Sequence, residues 1–234
     1  MLSKILSISA FLLIFLVQDV SALGAKVPKP TPVPTPPPVE VPVPPAPQPE
    51  PEETVFEARW EPSNPNDGRD WTYHTYDEVE DLGPSLMTVK PVDVEAFCPG
   101  FSKLDDSGRK NFYTYLLSAM SKFESNYNPS VKYQEAFNDR FGNPVISRGL
   151  LQLSKESANG YGCNIGNEQE LHDPYVNLSC AIRILDRWVG RDGRIAGNVS
   201  GGWKGGARYW SVLRKESTLG SIQAWTKAFC VNNF

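Results

Sequence analysis

Glu124 stands directly behind Phe123 and ahead of Ser125-Asn126-Tyr127-Asn128-Pro129. Upstream of it, Phe112, Leu116, Leu117, Met120 and Phe123 recur with helical spacing, which predicts an amphipathic helix of about four turns with the glutamate at its end. A carboxyl held against apolar neighbours has its charged form disfavoured and keeps its proton toward neutral pH. That is what a general acid for glycosidic cleavage requires. An isolated glutamate near a helix end is usually a solvated surface charge, so the assignment depends on its company. Two more carboxylates, Glu135 and Asp139, follow in the next loop. Either is a candidate for the second acidic group that activates water or stabilises an oxocarbenium-like transition state.

The remaining reactive side chains point away from metal chemistry. There are two histidines, His74 and His172, and no Cys-x-x-Cys pair, so neither a zinc site nor any other cofactor is expected. The four cysteines are Cys98, Cys163, Cys180 and Cys230. An even count in an exported chain favours two disulfides. Three pairings are open. The preferred one joins Cys163 to Cys180 across a short loop and Cys98 to Cys230 across the ends of the domain.

The elements that must position these groups occupy only part of the 234 residues. Residues 1–22 read as a secretory signal peptide: Lys4 in the n-region, an apolar run from Ile5 to Val17, and small residues at Val20-Ser21-Ala22. That run is short for a bilayer span, so an exported protein, periplasmic or secreted, is expected, with no membrane association after cleavage. Thirteen of the 21 prolines lie between Pro28 and Pro51. Residues 23–51 are therefore expected to be an extended polyproline spacer, because each ring fixes φ and removes a donor. Residues 52–97 are acidic and aromatic without a clear period, and read as an arm wrapped on the domain that follows. The net charge of −4 conceals a split: residues 1–94 carry 6 basic and 14 acidic side chains, residues 95–234 carry 17 and 13. The C-terminal part suits an anionic polymer but is too weakly basic to indicate nucleic acid.

Residues 98–234 are expected to form a mainly α domain. A second helix is predicted near Ser147, carrying GLLQLSKES, and a third behind the cap Asp173 and Pro174, with Leu178, Ala181, Ile182, Leu185, Trp188 and Val189 on its inner face. Two shorter helices are predicted over ARYWSVLR and SIQAWTKAF. The polar, turn-rich stretch VKYQEAFNDRFGNPVIS has room for one small hairpin.

ESNYNP at 124–129, SRGLLQL at 147–153 and DPYVNLSCAIRIL at 173–185 occur in an order and spacing that resembles the lysozyme-like superfamily of soluble lytic transglycosylases and goose-type lysozymes. The likeness covers 98–190 well and the rest loosely. It implies an α+β lysozyme-like fold and an enzyme that cleaves the β-1,4 bond between N-acetylmuramic acid and N-acetylglucosamine in peptidoglycan. Carried over by motif, it makes Glu124 the catalytic acid/base and Ser125 the support of its turn. Ser147 is then placed near the scissile bond, Gly149 at a close approach, Gln152 as an amide for sugar groups, and Asn177 as a support of the site. Within the superfamily the chain looks most like lysozymes of predatory bacteria that act on N-deacetylated wall glycan.

The chain departs from the transglycosylase pattern at the Ala-Tyr-Asn-Ala-Gly-like segment, where it reads NVSGGWKGGARYWSVLR. Tyr209 is the candidate for the tyrosine that contacts the catalytic glutamate, and Trp203 for a sugar-stacking surface. The missing motif and the available Asp139 favour a lysozyme-like hydrolase. Its alternatives are a lytic transglycosylase forming 1,6-anhydromuramic ends, and a non-catalytic wall-binding module. The expected partner is the glycan strand, met by a monomer.

Overall fold

A computed structural model describes residues 53–234; the leader of 1–22 and the proline tract of 23–51 lie outside the described residues. In chain order the elements are α1 (Gly68–Leu82), α2 (Pro84–Thr88), α3 (Asp106–Glu124), β1 (Lys132–Asn138), β2 (Pro144–Arg148), α4 (Lys155–Gly160), α5 (Pro174–Asp192), β3 (Ala196–Val199), β4 (Gly202–Gly205) and α6 (Glu216–Asn233), with short 3-10 turns between them. The fold is mainly helical, with two antiparallel two-stranded hairpins, β1–β2 and β3–β4.

α3 is the central helix. Its cap is Asp105, whose carboxylate accepts from Gly108 N at 2.8 Å. Phe112, Tyr113, Leu116, Leu117 and Met120 are fully buried, against α1 on one side and α6 on the other. The helix stops at Glu124 because Asn126 and Tyr127 adopt φ of 52° and 65°, which no α-helix continues. α5 starts as its sequence requires: Asp173 accepts from Tyr175 N at 2.9 Å and Pro174 fills the first position. Its inner face is the expected one, with Trp188 half-buried at the edge.

Two local expectations fail. Ser147 lies in β2, not in a helix, and the helix after it begins only at Lys155, capped by Ser154. Gly149 at φ 77° and Gln152 at φ 47° turn the backbone left-handed inside the GLLQL run, so an apolar spacing that looks helical belongs to a buried turn. Residues 206–213 likewise form two 3-10 turns, Gly206–Arg208 and Ser211–Leu213, instead of a helix. The hairpin β3–β4 has no counterpart in the sequence reading.

The 53–97 segment has more order than its sequence suggests. It contains α1 and α2, and Trp60, Trp71, Tyr76, Val79, Leu86, Val94 and Phe97 are all buried in the same core as α3 and α5. Trp60 Nε1 donates to Thr72 Oγ1 at 2.9 Å, and Lys110 reaches Glu53 at 2.7 Å and Glu80 at 3.5 Å. Disulfides join Cys98 to Cys230 and Cys163 to Cys180.

Candidate active site

The end of α3, the inner face of the β1–β2 hairpin and the 208–214 turns enclose a cleft of about 320 Å³. Glu124 projects into it. One carboxylate oxygen, Oε1, is sequestered from solvent and has no hydrogen-bond partner. Burial raises its pKa to about 8, the negative charge of Glu135 adds to the rise, and the Arg214 guanidinium opposes it. A carboxyl in that setting is protonated at neutral pH and has a proton to give.

Alternation along the hairpin decides which side chains join it. Strand side chains point to opposite faces in turn, and Glu135, Phe137, Val145 and Ser147 face the cleft. Ile146 and Arg148 line a second cavity, whose wall shares Val145 and Ser154 with the cleft. Ser147 Oγ donates to Glu135 Oε1 at 2.6 Å, which fixes the second carboxylate toward the first. Asp139, the other candidate, sits at the hairpin tip and is absent from the cleft wall. Its Oδ1 accepts from Phe141 N and Asn143 N, both at 2.8 Å, and these bonds hold its carboxyl below the usual range. Asp139 therefore closes its own turn.

The floor is the 148–152 turn. Asn177, fully buried on α5, accepts from Leu151 N at 2.9 Å and donates to Arg148 O and Leu171 O at 3.0 and 2.9 Å. Both donors of its amide and its oxygen are engaged with backbone, so it positions the turn. Gly149 is needed there because a Cβ would fall 2.1 Å from Leu171 O and 2.4 Å from Asn177 Nδ2. Ser125 Oγ donates to Leu150 O at 3.0 Å and ties the end of α3 to the same turn. Gln152 lines the cleft, its NH₂ donating to Val131 O and Gly149 O while Oε1 is buried without a partner.

Tyr209, Trp210, Arg208 and Arg214 complete the cleft. Burial raises the Tyr209 phenol, whose surroundings include Ser157, Ser154 and the Glu124 charge. Trp210 donates from its indole to Leu151 O at 3.0 Å, bracing the floor. Trp203 is outside the cleft wall, on β4, with the Arg214 guanidinium 5.9 Å from its ring. Arg214 was not legible in the sequence. Nothing in its spacing distinguishes it, and it reaches the site only because its side chain is fixed by the carbonyls of Ala207 and Arg208 at 2.6 and 2.8 Å. Among the described residues, no group of three or more His, Cys, Asp or Glu is placed to hold a metal, and no helix is long and apolar enough to cross a membrane.

The family model described as Transglycosylase SLT domain matches residues 105–217. Comparison with curated proteins gives no match. Among solved structures, Bd0314 DslA in a wild-type form is 52% identical, with a TM-score of 0.69, 72% of this chain covered and 93% of that one. Two glutamate-to-glutamine mutants of Bd0314 DslA are 50% identical, each with a TM-score of 0.71, 74% of this chain covered and 96% of theirs.

Proposed function

Given that the chain belongs to the transglycosylase SLT family of lysozyme-like, peptidoglycan-cleaving enzymes, we propose that it is an exported muramidase with Glu124 as general acid/base and Glu135 as its partner. The observation that carries this is the pairing of two unlike carboxyls in one cleft. One is buried and unpaired, with its pKa raised to about 8; the other is oriented by Ser147 at 2.6 Å. Environments that separate two carboxyls in this way assign the acid and its partner. Glu124 gives its proton to the glycosidic oxygen as the bond to the anomeric carbon breaks. Glu135 faces the positive charge that develops on the sugar and stabilises it or orients the water that adds there. Gln152 and Ser147 contribute neutral polar edges, and Phe137 an apolar one. The glutamates substituted in the two DslA mutants are eleven positions apart in their chain, and Glu124 and Glu135 are eleven apart here.

A second reading, lytic transglycosylase chemistry, is favoured by one observation: Tyr209 shares the cleft with Glu124. In that reaction the muramyl 6-hydroxyl, not water, attacks the anomeric carbon. The preference for N-deacetylated strands rests on Glu135, since removing an acetyl group exposes an ammonium that a cleft carboxylate attracts. Mass spectrometry of the products from native and deacetylated peptidoglycan tests all three statements. Hydrated reducing ends are expected, in greater yield from deacetylated strands. Anhydro ends, lighter by one water, would transfer the assignment to the second reading, and equal yields would remove the preference.

A further inference from the structure

α5 carries Arg183, Arg187 and Arg191 at intervals of four, so the three side chains stand in one row along the helix. All three are exposed, and none has a described carboxylate within 4.0 Å. The acids of the same helix are engaged elsewhere. Asp186 accepts from Ser85 N at 2.6 Å, and Asp192 is held by Arg208 at 2.6 Å. Like charges four apart repel and weaken a helix. The helix dipole compensates Arg191 in the last turn but gives nothing to Arg183 in the middle of the helix.

The row borders an open groove of about 750 Å³, with Arg183 and Arg187 on its wall beside Tyr161 and Trp188. Trp188 spends its indole donor on Tyr161 Oη at 2.8 Å, and the guanidinium groups of Arg208 and Arg191 lie 5.0 and 5.3 Å from its ring. The nearby acids are few: Glu156 at the groove's edge, 3.9 Å from Arg140, and Glu78, which shares a smaller cavity with Arg183. Ser157 lines both this groove and the Glu124 cleft, so the two adjoin.

We propose that this groove binds the carboxylates of the peptide branches of the glycan whose sugar chain lies in the cleft, an inference that rests on the peptidoglycan reading above. Sugar rings without charge gain nothing from three unpaired cations, whereas peptide branches present carboxylates beside the glycan. The probes are glycan strands bearing their peptides, the same strands stripped by an amidase with the freed lactyl carboxylates then blocked as amides, both from walls freed of phosphate polymers, and phosphatidylglycerol vesicles. Binding is measured for the Glu124→Gln protein with and without R183Q, R187Q and R191Q together. With three exposed contacts each worth about twofold, the arginine row should favour peptide-bearing strands by about eightfold. The triple substitution should erase that preference and leave binding to stripped strands unchanged. Equal affinity for the two glycans, equal loss on both, or row-dependent binding confined to vesicles would overturn the proposal. Product formation from stripped strands by the unsubstituted protein reads the cleft separately, so a failed cleft and a failed groove give different results.

Discussion

Glu124 and Glu135 are chemically the same residue made unlike by their surroundings. Glu124 in the folded state holds its proton to about pH 8, against 4.5 for an ordinary glutamate. The folded protein therefore binds more protons than the unfolded chain between these values, and stability falls as pH rises through that window. Glu124→Gln should abolish cleavage yet unfold at higher denaturant than the parent above pH 8, by on the order of a few kcal/mol. The gap should close below pH 4.5. Chemical denaturation at three pH values checks this, and equal stability throughout would show that the carboxyl is not strained by burial. Because the charge of Glu135 helps raise Glu124, Glu135→Gln should move the alkaline limb of the residual activity to lower pH as well as reduce its height. A pH–rate profile with an unmoved limb would separate the two groups.

At the scale of elements, the site is a helix end facing one side of a hairpin, pinned by a buried turn. That turn is the sensitive part. Gly149→Ala would set a methyl against Leu171 O and Asn177 at a backbone φ of 77°, so a loss of about 3 kcal/mol is expected in urea denaturation. The same element shows where sequence reading stops. α3 and α5 were legible because their apolar faces repeat and their caps are conventional. Over 147–153 the apolar residues also repeat, but the left-handed backbone at Gly149 and Gln152 is dictated by Asn177, a residue more than twenty positions away. Glu135 could not be told from Asp139 by composition. The strand alternation that turns Glu135 toward Ser147 depends on a register that forms only with β2. α1 was hidden for another reason: its buried face, Trp71, Thr72, Thr75, Tyr76 and Val79, includes two threonines. Their hydroxyls are satisfied within the helix, by Gly68 O and Trp71 O, so polar residues stand where a period search expects apolar ones.

At the scale of the molecule, the acidic 53–97 segment and the 98–234 domain share one core. Trp60, Trp71, Tyr76, Val79, Leu86 and Val94 are all but removed from solvent, and burying each such side chain contributes about 1.5–3 kcal/mol. Together they are as large as the whole net stability, about 5–15 kcal/mol, of a typical domain. A chain beginning at Cys98 should therefore fail to fold, whereas deleting residues 28–49 should leave the melting temperature unchanged; circular dichroism of the two truncations decides it. The second bond across this unit, Cys98 to Cys230, spans 132 residues, and every strand and helix that builds the cleft lies between its ends. At about 5–20 residues per second, a ribosome needs on the order of ten seconds to make that interval, and the bond then forms only where thiols are oxidised. Every residue of the cleft is thus made before the cysteine that closes it, and the brace across the cleft is set only where thiols are oxidised.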